Sequence, residues 1–208
     1  MAIISYRHKF IFVKTRKTAG TSLEVHLAAK CGPKDIVTPI APTNPDHQPR
    51  NFEGDGGVFK NHMAAREIQR LKPRAFESFF KFCFERHPID KCLSQFAMFV
   101  NAPWFDRPGA PQDWDAYLAQ RRFPVDVERY TDASGALIVD RVFRYEDLPG
   151  ALAEIERRVG TSFGPLTANE KSGYRHGVPT FDEVNANPEQ RRVIMDAFAP
   201  SLRHTHYD

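Results

Sequence analysis

Two apolar runs stand out along the chain: Phe10-Ile11-Phe12-Val13 and Phe79-Phe80-Lys81-Phe82-Cys83-Phe84. Neither alternates between apolar and polar positions. Both read as strands buried on two faces, as in a parallel sheet covered by helices. Helical spacing follows the first run at Leu23, Leu27, Ala28 and Ala29. It recurs over 64–71, where Pro73 halts it, and over 89–100, where Pro88 supplies the first turn. A short helix is expected over 117–122. A longer one over 150–159 carries Leu152, Ile155 and Val159, and a last one runs over 188–198. Short extended segments are expected at 58–62, 127–130 and 137–143, the last two joined by a turn at Asp132-Ala133-Ser134-Gly135. Strands alternating with helices predict an α/β fold with three α/β/α layers and a mainly parallel central sheet.

Between these elements lie irregular stretches. Residues 32–57 carry Pro39, Pro42, Pro45 and Pro49 and read as a long surface excursion. Residues 101–116 and 160–180 are also irregular. A chain of 208 residues is most simply one domain, 1–208. The net charge of +3 is too small to point to nucleic acid, though it suits an anionic ligand where cations converge. Three cysteines, Cys31, Cys83 and Cys92, have no metal-ligand spacing and read as reduced thiols. Arg7, His8 and Lys9 interrupt the apolar start, so no signal peptide and no membrane span is expected. The reading is a soluble, cytoplasmic chain.

The chemistry concentrates between the first strand and the first helix. The loop Lys14-Thr15-Arg16-Lys17-Thr18-Ala19-Gly20-Thr21-Ser22 joins a strand end to a helix N-terminus. Backbone N–H groups and the helix dipole favour an anion there. Lys17 adds a cation, and Thr18, Thr21 and Ser22 add hydroxyls. A nucleoside-triphosphate loop has its lysine directly after the second glycine. Here Lys17 precedes Gly20 by three positions. The order Lys-Thr-Ala-Gly-Thr-Ser instead resembles the phosphosulfate loop of the sulfotransferase family, with Arg16 where that family often has proline.

The rest of the chain extends the resemblance. Arg86 ends the second apolar run and Ser94 follows eight positions later, two helical turns on. The pair is similar to the family's 3′-phosphate motif, with Lys91 near its inner basic position. An arginine at a strand's carboxyl end can grip two phosphate oxygens. His62, before the helix over 64–71, resembles the strand-end histidine of carbohydrate sulfotransferases, and Asn61 replaces their frequent glycine. His87 is the runner-up. The segment Arg144-Tyr145-Glu146-Asp147-Leu148 is similar to an architectural strand-to-helix motif. Lys171 and Ser172, with Arg175, resemble a late loop that closes over the nucleotide.

The resemblance implies a P-loop-like fold and a donor, 3′-phosphoadenosine 5′-phosphosulfate, with adenosine 3′,5′-bisphosphate as product. Arg16, Lys17, Thr18, Ala19, Gly20, Thr21, Ser22, Arg86, Ser94, Lys171 and Ser172 would bind it, and no metal is implied. Lys17 would stabilise the leaving phosphate and His62 would take the acceptor's proton. The acceptor would be a carbohydrate, a glycolipid or another hydroxyl compound. Trp104, Phe105, Trp114 and Tyr117 are candidates to stack on sugars, although such aromatics more often pack locally. Arg121 and Arg122 are candidates for an acidic glycan or a solvated face. Two other readings stand beside this one: a P-loop-like nucleotide kinase needing Mg²⁺, and a non-catalytic nucleotide- or glycan-binding module.

Overall fold

A computed structural model describes residues 2–54, 57–103, 108–166 and 173–207. Lys171, Ser172, Trp104 and Phe105 lie outside the described residues. The rest fall into two compact units, 2–85 with 126–166, and 86–125 with 173–207.

The first unit is built on a five-stranded sheet. Its strands are β1 (Ala2–Ser5), β2 (Phe10–Val13), β3 (Ile36–Val37), β4 (Phe80–Glu85) and β5 (Arg141–Arg144). They lie in the order β3-β1-β2-β4-β5. β2 pairs in parallel with β4, and β4 with β5. β1 runs antiparallel to both of its neighbours, so the sheet is mixed.

Both faces of the sheet are apolar, as unbroken hydrophobic runs require. Ile4, Ile11, Val13 and Cys83 pack on one face with Ala65 and Ile68 of α2 (Ala65–Leu71) and Ala75 and Phe76 of α3 (Pro73–Ser78). Phe10, Phe12, Phe82, Phe84 and Phe143 pack on the other. There they meet Leu23 and Leu27 of α1 (Gly20–Ala28) and Ala151, Leu152 and Ile155 of α6 (Leu148–Val159). Pro73 does not only end α2. It occupies the first turn of α3, where its missing N–H costs nothing.

The second unit is helical. It comprises α4 (Pro88–Asn101), α5 (Trp114–Gln120), α7 (Phe181–Ala186) and α8 (Pro188–Thr205). Ile89, Cys92, Phe96, Val184, Ile194 and Phe198 form its core. Trp114 and Tyr117 belong to that core: their rings stack at 5.1 Å, and the Tyr117 hydroxyl donates to Gln95 at 2.8 Å. These two aromatics therefore pack the interior rather than wait for a sugar. Arg121 and Arg122 are exposed.

Three local expectations change. Residues 58–62 form no strand, because the chain turns at Asn61 and His62 and His62 takes a left-handed φ of 57°. Val127–Arg129 is a turn of 3₁₀ helix rather than an extended segment, with the Arg129 N–H donating to the Asp126 carbonyl. The excursion over 32–57 is partly interior: it supplies β3, and Asp35, Thr38, Ile40 and His47 are buried. Asp35 organises it, accepting from the Ser5 hydroxyl and from the N–H groups of Tyr6, Arg7 and Gly32. Burial pushes the thiols of Cys31 and Cys92 up to about 12, and the nearby Asp35 carboxylate adds to the effect at Cys31.

Candidate active site

The loop after β2 is held from below. Lys14 is buried, and its amine donates to Glu24 at 3.1 Å and to the Thr21 hydroxyl at 3.3 Å. Glu24 is fully buried on α1. Gly20 lies against the Lys14 stem, where a Cβ would come within 2.7 Å of the Lys14 Cε. Any larger residue there would displace the Lys14 stem. Thr15 ties the loop to the neighbouring strand, donating its hydroxyl to the Phe84 carbonyl. The Thr15 and Thr18 hydroxyls lie 3.0 Å apart, and both residues are buried.

Above this support the backbone is strained. Lys17 and Ala19 take left-handed φ values of 62° and 50°, unusual for residues with a side chain. Ala19 is the N-cap of α1 and has no polar group to offer, and the first turn carries no acid. The helix start therefore keeps its positive end without a capping side chain, the arrangement that receives anions at helix N-termini.

Asp126 grips the entry to this loop. Its buried carboxylate accepts the Arg16 N–H at 2.6 Å and the Arg16 Nε at 2.8 Å. It also accepts the Arg129 Nε at 2.7 Å. Arg129 in turn donates through Nη1 to the His62 carbonyl. The His62 ring closes the circuit, with Nδ1 3.2 Å from the Lys14 carbonyl. A carbonyl only accepts, so Nδ1 carries the proton and Nε2 keeps its lone pair. Loss of solvent is the main cause that lowers the His62 pKa to about 2; nearby positive charge, Lys14 and Arg129 included, adds to it and the Asp126 carboxylate opposes it. The ring is neutral throughout the ordinary pH range.

Arg86, in the second unit, pairs through Nε and Nη2 with Asp90, one turn along α4. Asp90 also receives Arg175, at 2.6 Å. Two guanidinium groups thus share one carboxylate. Ser94 is half-buried on α4, one turn beyond Asp90. His87 is the N-cap of that helix, its Nδ1 accepting from the Ile89 N–H, and its ring packs against Phe181 and Tyr207. That is a structural post rather than a reactive one.

A model described as the sulfotransferase family matches residues 1–156. The chain belongs to the sulfotransferase family. No curated protein and no solved structure matches it. The matched span contains the loop, His62, Arg86, Ser94 and Asp126. Among the described residues of this sulfotransferase, no group of acidic, histidine and cysteine side chains could hold a metal ion, and no helix is long and apolar enough to cross a membrane.

Sequence reasoning singled out the loop, Arg86 and His62 as candidates, and missed the groups that hold them in the structure. Lys14 and Glu24 bracket the loop ten positions apart, a spacing with no local signature. Asp126 lies 110 residues from Arg16 and sits in an unremarkable Pro-Val-Asp-Val-Glu-Arg run.

Proposed function

We propose that this chain moves a sulfuryl group from 3′-phosphoadenosine 5′-phosphosulfate to an acceptor hydroxyl, on a carbohydrate or glycolipid. The observation that carries the reading is the start of α1: a helix N-terminus with no capping side chain, entered through left-handed Lys17 and Ala19, in a member of the sulfotransferase family. Residues 1–208 act in this reading as one P-loop-like, three-layer domain.

The backbone N–H groups of 17–22, with Ser22 and the helix dipole, hold the 5′ end of the donor, while the Arg16 N–H stays with Asp126. Thr18 contributes mainly through its backbone, since its hydroxyl engages Thr15; the Thr21 hydroxyl accepts from Lys14 and keeps its O–H to donate. Arg86 and Ser94 are assigned to the 3′-phosphate, with Lys171 and Ser172 as further donor contacts. The S–O bond to the bridging oxygen breaks as the S–O bond to the acceptor oxygen forms. Lys17 stabilises the negative charge that develops on the leaving phosphate.

His62 takes the acceptor proton at Nε2. It is already in the unprotonated form that a base requires. Its low pKa makes it a weak base in isolation, and the negative charge of a bound donor raises it.

Calorimetry with adenosine 3′,5′-bisphosphate tests the donor assignment, and transfer of labelled sulfate to a panel of glycans, glycolipids and simple alcohols tests the reaction. Binding without Mg²⁺ and transfer to one acceptor class are expected. Absence of any binding by folded protein would remove the reading, and transfer of phosphate from a nucleoside triphosphate would replace it.

A further inference from the structure

We infer that Asp126 is a positioning residue, which sets the anion loop and the His62 imidazole in one shared arrangement. The inference rests on the sulfuryl-transfer reading for its purpose, but its geometry stands alone.

Asp126 is fully enclosed, and a buried carboxylate is costly unless its oxygens are satisfied. Here one oxygen accepts the Arg16 backbone N–H and the other accepts both the Arg16 and the Arg129 guanidinium groups. The backbone bond matters most. Arg16 immediately precedes Lys17, whose φ of 62° lies in the left-handed region. Such a conformation persists only where its surroundings over-determine it. A proline at position 16 would fix φ by its ring and would have no N–H to give. Arg16 leaves φ free, and the carboxylate restrains the residue from outside at two of its atoms.

The second branch reaches the imidazole. Arg129 spans from Asp126 to the His62 carbonyl, and the His62 ring returns to the carbonyl of Lys14. The group proposed to stabilise the leaving phosphate and the group proposed to take the proton are therefore referenced to one anion. Arg129 also bridges the left-handed turn at His62, where a residue with a side chain again needs external support.

The experiment uses the full chain, with Asp126→Asn and Arg129→Lys. Asp126→Asn preserves the shape but turns either an NH2 donor or an uncharged oxygen toward the arginine donors. Arg129→Lys keeps the charge at a partly exposed site and cannot span both acceptors. Two readouts are taken. The first is the nitrogen-resolved NMR spectrum of the His62 ring, which reports the Nδ1–H tautomer without any ligand. The second is affinity for adenosine 3′,5′-bisphosphate.

Both variants are expected to shift the His62 ring signals. Asp126→Asn is expected to weaken nucleotide binding about tenfold or more, the scale of a lost hydrogen bond to a charged group. In an Arg16→Pro background the Asp126→Asn substitution is expected to cost less affinity than in the native loop. Unchanged His62 signals in the folded variants would overturn the inference; if Asp126→Asn does not fold, Arg129→Lys alone decides it. If the wild type does not bind the nucleotide, the functional reading fails while the NMR result still judges the clamp.

Discussion

The amine of Lys14 lies 3.1 Å from the carboxylate of Glu24, and neither side chain reaches solvent to any useful extent. The pair sits under the start of α1 and fixes how the helix meets β2. Removing one partner leaves the other charged and buried. Lys14→Met or Glu24→Leu alone should therefore destabilise the fold by about 3–5 kcal/mol, while the double replacement Lys14→Met with Glu24→Leu should recover much of that loss. Denaturant unfolding of the three variants checks this, and additive losses would mean the two groups are not coupled.

Gly20→Ala sets two effects against each other. Alanine favours the helix by about 1 kcal/mol. The new Cβ would meet the Lys14 stem at 2.7–2.8 Å, so that side chain must leave its place beside Glu24. The clash should win, with a net loss of about 1–3 kcal/mol. Urea titration provides the measurement, and a gain in stability would show that Lys14 relocates freely.

On the proposed mechanism, Lys17→Ala should lower turnover by about a hundredfold or more, because it would remove charge stabilisation developed at the transition state. Affinity for adenosine 3′,5′-bisphosphate should fall by far less. Steady-state kinetics beside calorimetry separates the two; equal losses in both would make Lys17 a binding group only.

Arg86→Ala should lower the preference for adenosine 3′,5′-bisphosphate over adenosine 5′-monophosphate by about tenfold, the value of a bidentate charged contact. Comparing the two affinities in wild type and variant checks it. A retained preference would leave Arg86 as the partner of Asp90 and nothing more.

Acid should destabilise this protein partly through His62. Its pKa falls from 6.5 to about 2 on folding, so the unfolded chain binds the extra proton. The stabilisation is complete above about pH 6.5 and is lost as pH falls toward the folded value, with a slope of at most about 1.4 kcal/mol per pH unit. His62→Gln should flatten the fall in melting temperature between about pH 6.5 and pH 4. Parallel melting curves for the variant and the wild type would contradict the burial of that ring.

The strands β2 and β4 were legible because each is a largely continuous apolar run, broken in β4 by Lys81, and such runs are what a sheet covered on both faces demands. β1 and β3 were not. Ala2-Ile3-Ile4-Ser5 is only four residues long, and Ile36-Val37 lies in a proline-rich stretch where Asp35 and Thr38 hold it by hydrogen bonds that no periodicity encodes. That is why the antiparallel pairing of β1 was unforeseen. The strand, loop and start of α1 were legible because their residues are contiguous in sequence. Asp126 was hidden because its role exists only once the chain has returned to Arg16.

The two thiols held near 12 have a practical corollary. At neutral pH each presents roughly a thousandfold less thiolate than an ordinary cysteine, and thiolate is the form that maleimides, iodoacetamides and oxidants attack. A cysteine introduced at an open position such as Val58, which is 50% exposed, would then take up a fluorophore or spin label ahead of Cys31 and Cys92. Distance measurements on this enzyme can begin without first stripping those two native sulfurs from it.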